Sequence, residues 1–188
     1  MRYKAILFDM DGTLLDTLTD MADAVNHILS VHGWPLRTTE EVRAFVGNGA
    51  RRLMERAVPP EVTGGDFETV LTEYRDWYQA HNCVATAPYP GIPALLAALA
   101  EAGIKTAVVS NKPDATTKTL AARFFPGLPA FGQRDDVPPK PAPDLVFRAL
   151  ETLGVDAADA IYVGDSEVDV ATARNAGLPL AAVSWGFR

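Results

Sequence analysis

The 188-residue sequence contains a single cysteine, Cys83, so no disulfide framework forms within the chain. Its three histidines, His27, His32 and His81, stand at no spacing that suits a shared metal. Positive charge is scarce: 17 Lys and Arg against 24 Asp and Glu give a formal net charge of -7. That excludes a general nucleic-acid binder, which needs a basic footprint. Long apolar runs are missing too. The longest, around "IPALLAALAEAGI", is interrupted by Glu101 and falls far short of a bilayer span. The opening "MRYKAILFDMDG" has too short an apolar run for a signal peptide and ends it in charge. These absences lead us to expect a soluble, cytoplasmic protein with neither a nucleic-acid nor a membrane partner. There is no internal repeat and no low-complexity segment.

What is present suffices for a sizeable core, since 48% of the residues are hydrophobic. "AILF" at the start reads as a buried strand. From Leu18 to about Ala80 the pattern is helical: "DMADAVNHILSVHG", "TEEVRAFVG", "NGARRLMERAV" and "FETVLTEYRDWYQAH". In the first of these, Met21, Val25, Ile28 and Leu29 share one face. Thr39 and Asn48 are placed to cap the second and third. No strand is expected in this region.

From Pro88 onward, strand and helix alternate. "KTAVVSN", "AIYVGD" and "LPLAAVS" read as strands. Helices lie between them, with Gly103, Gly154 and Gly177 as stops and Asp144 as a cap. Phe125 to Pro143 reads as an irregular, proline-rich stretch. Alternation of this kind means βαβ units and a parallel sheet. The expected fold class is α/β, a Rossmann-like parallel sheet formed by residues 1–15 and 85–188. An all-helical insert over 16–84 splits it.

The polar residues fall at strand ends. Asp9 and Asp11 follow the first strand, Ser110 and Asn111 the second, and Asp165 the "IYVG" strand, with Asp169 one helical turn later. Open parallel sheets bind ligands at these carboxyl edges. Lys140, in the stiff "PPKPAPD" loop, is the matching cation. Each feature alone has a plain explanation. "DMDG" suits a turn, "SN" and Ser166 suit helix caps, and a lone lysine suits a solvated surface. An EF-hand is excluded by the position of Gly12 and the lack of a loop-closing Glu. All four in order are hard to obtain from turn chemistry.

"FDMDGTLLD" (8–16), "VVSNK" (108–112), "KPAPD" (140–144) and "VGDSEVD" (163–169) resemble, in order, the four motifs of the haloacid dehalogenase superfamily. "VGNGARRLMERA" (46–57) and the terminal "WGFR" are similar to segments of its phosphoglycolate phosphatase branch. The resemblance implies a haloacid dehalogenase-like core with a helical cap domain, and a Mg²⁺-dependent phosphatase acting on a small phosphorylated metabolite, foremost 2-phosphoglycolate. It makes Asp9 the nucleophile that becomes an aspartyl-phosphate and Asp11 the general acid and base. It puts Mg²⁺ on Asp9, the Asp11 backbone carbonyl and Asp165, with Asp169 close by. Ser110, the Asn111 backbone, Lys140 and the Gly12 amide would hold the phosphoryl oxygens.

In the insert, Asn48, Gly49 and Arg51 of "GNGARR" are candidates for substrate selection, Arg51 for a carboxylate. Asp16–Leu18 and Cys83–Pro88 are the expected hinges. The alternatives are a sugar-phosphate mutase or pyrophosphatase on the same scaffold, and a phospho-accepting regulatory domain. An acid/base residue and an inserted lid argue against the last.

Overall fold

The first apolar run forms β1 (Ala5–Phe8). A computed structural model describing residues 2–188 carries this strand at the centre of a five-stranded sheet. The chain leaves by the two-residue β2 (Leu15–Asp16) and passes through α1 (Leu18–Val31), α2 (Thr39–Phe45), α3 (Gly49–Ala57) and α4 (Gly64–His81). It returns through β3 (Ala87–Pro88), antiparallel to β2. Then follow α5 (Ile92–Glu101), β4 (Lys105–Pro113), α6 (Asp114–Phe124), β5 (Ala130–Gln133) and α7 (Asp144–Leu153). A 3-10 turn at Ala157–Asp159, β6 (Ala160–Gly164), α8 (Glu167–Ala176) and β7 (Leu180–Ala182) complete it.

The order across the sheet is β5-β4-β1-β6-β7, and every pair is parallel. The chain adds strands first to one side of β1 and then to the other, so the carboxyl ends of β4, β1 and β6 border a topological switch point. Successive strand residues point to opposite faces, and helices cover both. Leu7, Val109 and Tyr162 pack with Leu145, Val146 and Leu150 of α7. Phe8 and Val108 pack with Leu120 of α6 and Ile92 of α5. Burial on both faces is why these strands read as continuous apolar runs.

The helical insert has a core of its own. Met21, Val25, Ile28 and Leu29 of α1 are buried with Met54 of α3 and Phe67, Leu71 and Tyr74 of α4. The buried Asp20 carboxylate accepts the backbone N–H groups of Val84, Ala85 and Thr86 at 3.1, 2.8 and 2.9 Å. The start of α1 is thereby tied to the returning chain beside the β2–β3 ribbon.

The structure departs from the expected elements in its short strands and in its helix caps. β5 lies inside the stretch expected to be irregular; it is four residues long and gains its form by pairing with β4. Its Gly132 is needed for closeness, since a Cβ there would lie 2.5 Å from Asp114 Cα of α6. β2 and β3 are too short to leave a periodic signal. Thr38, not Thr39, caps α2 in a capping box with Glu41. Asn48 precedes α3 and Asp144 opens α7 without a capping side-chain bond. Gly154 and Gly177 do end their helices in the left-handed conformation.

Candidate active site

β1 ends where its neighbours end, so its terminal carboxylate meets groups from two other chain segments. Lys140 Nζ lies 2.9 Å from Asp9 Oδ1 and 2.8 Å from Asp169 Oδ1, and donates to Tyr162 Oη at 3.1 Å. An ammonium has three N–H donors, and all three are taken. Tyr162 Oη donates onward to the Val109 carbonyl at 2.9 Å, anchoring the group to β4. Burial acts against the charge on Lys140, but Asp169 and Asp9 outweigh it and hold the amine well above its ordinary value. Asp169 is also the third residue of α8, in a capping box with Ser166. Burial works against its charge, yet Lys140 and the Ser166 bonds keep it below the usual carboxylate range. Asp9 fares differently. Burial first, then repulsion from Asp169, pushes its carboxyl up to about 8 while Lys140 pulls the other way.

Asp11 faces another lysine. Its Oδ1 accepts the Thr17 hydroxyl at 2.7 Å and lies 3.2 Å from Lys112 Nζ. Lys112, the last residue of the "VVSNK" run, is buried and donates to Tyr78 Oη of α4 at 2.8 Å, with Nζ 4.5 Å from the Tyr78 ring centroid. Burial pushes the Tyr78 phenol well above its ordinary value, so it stands there as a neutral acceptor. The two aspartates, two residues apart in the chain, thus each face a buried lysine of their own.

A cavity of about 350 Å³ lies between the sheet edge and the insert. Asp9, Asp11, Ser110, Asn111 and Asp165 line its floor, and Gly49 lines its rim, as the sequence suggested. Gly49 has φ +82° and packs so closely that a Cβ would lie 2.7 Å from Gln133 Oε1. Lys112, Tyr78, Phe187 and Arg188 also line the cavity, and sequence reasoning did not select them. The only signal for Lys112 is its place beside Ser110 and Asn111. Tyr78 is indistinguishable in sequence from a core aromatic.

Other expected residues are placed differently. The Gly12 amide donates to the Leu15 carbonyl at 3.0 Å, so it is spent on the turn rather than offered to an anion. What needs glycine there is space: at φ +80°, a Cβ would lie 2.4 Å from Asp165 Oδ2. Lys140 sits behind Asp9, its donors committed to two carboxylates and the Tyr162 hydroxyl. The Asn111 amide is a clamp, accepting Lys140 N–H at 2.7 Å and donating to the carbonyls of Lys140 at 3.0 Å and Gly47 at 3.2 Å. Arg51 turns away to Glu68 of α4 in a bidentate pair at 2.8 and 2.7 Å and lies outside the cavity lining. Asn48 accepts Arg56 Nη2 at 3.1 Å and is likewise outside it.

Asp9, Asp165 and Asp169 each offer a carboxylate oxygen within 4.8 Å of the others. The Asp11 side chain is not one of this group, in keeping with a backbone role at most. Three carboxylates against one ammonium leave an excess of negative charge, and burial raises Asp165 as it does Asp9. An all-oxygen, under-neutralised donor set fits a hard divalent cation such as Mg²⁺.

The sequence profile of the haloacid dehalogenase-like hydrolases matches residues 6–183. The chain is 35% identical over 195 residues to the N-acetylmuramic acid 6-phosphate phosphatase of Pseudomonas aeruginosa, covering 100% of this chain and 84% of that protein. It is also 35% identical over 195 residues to the phosphoglycolate phosphatase of Pseudomonas savastanoi pv. phaseolicola, covering 98% and 70%. The solved structure of a Lactobacillus delbrueckii subsp. bulgaricus protein superposes with a TM-score of 0.94 at 36% identity, over 100% of this chain and 89% of that one.

Proposed function

Because the chain belongs to the haloacid dehalogenase-like hydrolases, we propose that it is a Mg²⁺-dependent phosphatase that hydrolyses a small phosphomonoester through an aspartyl-phosphate on Asp9. The observation that carries this reading is the meeting of Asp9, Asp165, Asp169 and Lys140 beneath a cavity that Asp11 also lines. The relatives named phosphatases support a phosphomonoester hydrolase, and those named phosphoglycolate phosphatase favour 2-phosphoglycolate as substrate.

Both polar contacts of the Asp9 carboxylate fall on Oδ1, from Met10 N–H at 2.7 Å and Lys140 at 2.9 Å, so we assign the attack to Oδ2. Oδ2 bonds to phosphorus, the bond from phosphorus to the alcohol oxygen breaks, and Asp11 gives that oxygen its proton. Water then attacks phosphorus, the Asp9–phosphorus bond breaks, and Asp11 takes the proton back. Ester and water become alcohol and phosphate. Such transfers need chiefly positioning and charge neutralisation. The Ser110 hydroxyl and the Asn111 backbone N–H at the cavity floor bind phosphoryl oxygens, and Lys140 fixes Asp9 from behind. Asp9, Asp165, Asp169 and the Asp11 carbonyl would hold Mg²⁺, which would supply positive charge beside the phosphoryl group. Residues 16–84 act as a cap over the core of 1–15 and 85–188, hinged at β2 and β3.

One observation favours a second reading of the substrate. Met21, Leu53 and Tyr74 give the cavity an apolar wall and a volume of about 350 Å³, more than a two-carbon acid fills. A bulkier phosphorylated sugar, as in the name of the Pseudomonas aeruginosa relative, suits that wall. The test is phosphate release from 2-phosphoglycolate, N-acetylmuramic acid 6-phosphate, hexose phosphates, nucleotides and pyrophosphate, with and without Mg²⁺. Turnover should require Mg²⁺ and fall by about 10⁴-fold or more in Asp9→Asn. One equivalent of phosphate and no more would support the regulatory alternative. No release from any compound by folded, Mg²⁺-binding protein would overturn the phosphatase reading.

A further inference from the structure

After β7 the chain crosses in front of the end of β6, and its "WGFR" segment touches four separate places. Trp185 Nε1–H donates to the Thr13 carbonyl in the turn after β1 at 3.2 Å. Gly186 lies against Asp165 so closely that a Cβ would stand 2.2 Å from Asp165 Cβ and 2.6 Å from Oδ2. Phe187 N–H donates to Asp165 Oδ2 at 2.8 Å, while Thr13 Oγ1–H holds Oδ1 at 3.2 Å. The Phe187 side chain is 8% exposed and belongs to the buried cluster of the helical insert, not to either face of the sheet. Arg188 Nη2 donates to the carbonyls of Ala44 and Val46, both at 2.9 Å, at the junction of α2 and α3.

We propose that Trp185–Phe187 is a positioning strap that aims the Asp165 carboxylate at the metal and at the same time seats the helical insert over the site. The proposal rests on the Mg²⁺ phosphatase reading and deepens it. Both oxygens of Asp165 are oriented, one by the β1 turn and one by the strap, and the strap's next side chain is packed into the insert. An insert that lifts must pull Phe187 with it or leave it exposed, and either event disturbs the N–H that holds Asp165. Metal binding and the seating of the insert are therefore coupled, and the coupling is reciprocal. Gly186 is required by proximity rather than by backbone conformation, because no left-handed φ is found there. Any side chain displaces the carboxylate or the strap, and metal sites tolerate shifts of only about 0.2 Å in ligand distance.

The test titrates Mg²⁺ calorimetrically into the full chain and follows amide hydrogen exchange at residues 44–48. Gly186→Ala should weaken Mg²⁺ binding by about 10–100-fold, as loss of a group that orients a ligand does. Phe187→Ala should weaken Mg²⁺ and also speed exchange at 44–48. In the unchanged protein, Mg²⁺ should slow exchange there. Val70→Ala loosens the insert core at a residue that makes none of the strap's hydrogen bonds and lies outside the cavity lining; it should lower the melting temperature and keep Mg²⁺ affinity. Wild-type affinity in Gly186→Ala overturns the strap, as does an equal loss of affinity in Val70→Ala and Phe187→Ala. If Gly186→Ala does not fold, Phe187→Ala against Val70→Ala decides. An unchanged protein that binds no Mg²⁺ overturns the metal reading and the strap together. One that binds Mg²⁺ yet releases no phosphate overturns only the reaction.

Discussion

Lys140 and Lys112 are both buried and both face an aspartate from the end of β1, but different parts of the molecule hold them. Every partner of the Lys140 ammonium, Asp9, Asp169 and Tyr162, belongs to the sheet and its helices. Lys112 bridges Asp11 of the core to Tyr78 of the insert. None of the ammonium's three partners in the first arrangement comes from the insert, whereas the second is complete only when α4 is in place. In the proposed reaction, an Asp9 fixed by the core beside an Asp11 whose surroundings depend on the insert suits chemistry confined to a closed state.

The strongest way to sharpen that contrast is Asp11→Asn. It should lower steady phosphate release by about 10²–10⁴-fold. p-Nitrophenyl phosphate, whose leaving group needs little protonation, should still give a rapid burst of nitrophenol before the water step stalls; loss of that burst would deny Asp11 the selective proton role. Next comes Lys140→Met, which leaves Asp9 and Asp169 buried without their cation; urea unfolding should register a loss of about 3–5 kcal/mol. Lys112→Met should cost less, because Asp11 is partly exposed and keeps Thr17.

The Lys140 site should also respond to pH. The Asp9 carboxyl is raised by burial and by Asp169 to about 8, and burial raises Asp165 in the same direction. Their contribution to stability is therefore fully present below the ordinary carboxylate range and is lost as pH rises toward 8. Asp169, held below that range, contributes across the whole interval and loses its share only in stronger acid. Melting of metal-free protein should fall between pH 5.5 and 8.5, values chosen to be roughly either side of neutrality, and saturating Mg²⁺ should remove the decline. A flat metal-free profile would mean that Lys140 already neutralises Asp9.

Smaller in effect is Tyr78→Phe, which removes the insert's bond to Lys112. Its cost should be about 1–3 kcal/mol, with a fall in kcat; an unchanged kcat would deny the Lys112–Tyr78 bond a part in the reaction. Smallest is Arg51→Ala. Its exposed pair with Glu68 lies outside the cavity, so kcat/KM should stay as in the unchanged protein.

The sequence made the sheet legible because buried parallel strands and capped helices leave strong local patterns. It made the carboxylates legible because ligand-binding groups sit where strands stop. β5 was hidden, since four residues containing Gly132 become a strand only against β4. In the insert, Arg51 and Asn48 looked available because nothing in "GNGARR" reveals Glu68 or Arg56. Glu68 comes from α4, and Arg56 from the far end of α3.

What the sequence determined by itself was the order of alternating elements, the residues that gather at the sheet edge, and the surplus of acid over base. What tertiary structure decided was which donors remain free. The Lys140 ammonium is taken by Asp9, Asp169 and Tyr162, the Asn111 amide by Lys140 and Gly47, and the Asp165 carboxylate by Thr13 and Phe187. The physical reason is distance along the chain. Apolar periodicity is written into neighbouring residues, whereas a hydrogen bond between Asp165 and Thr13 or between Lys112 and Tyr78 exists only once folding has brought remote segments together.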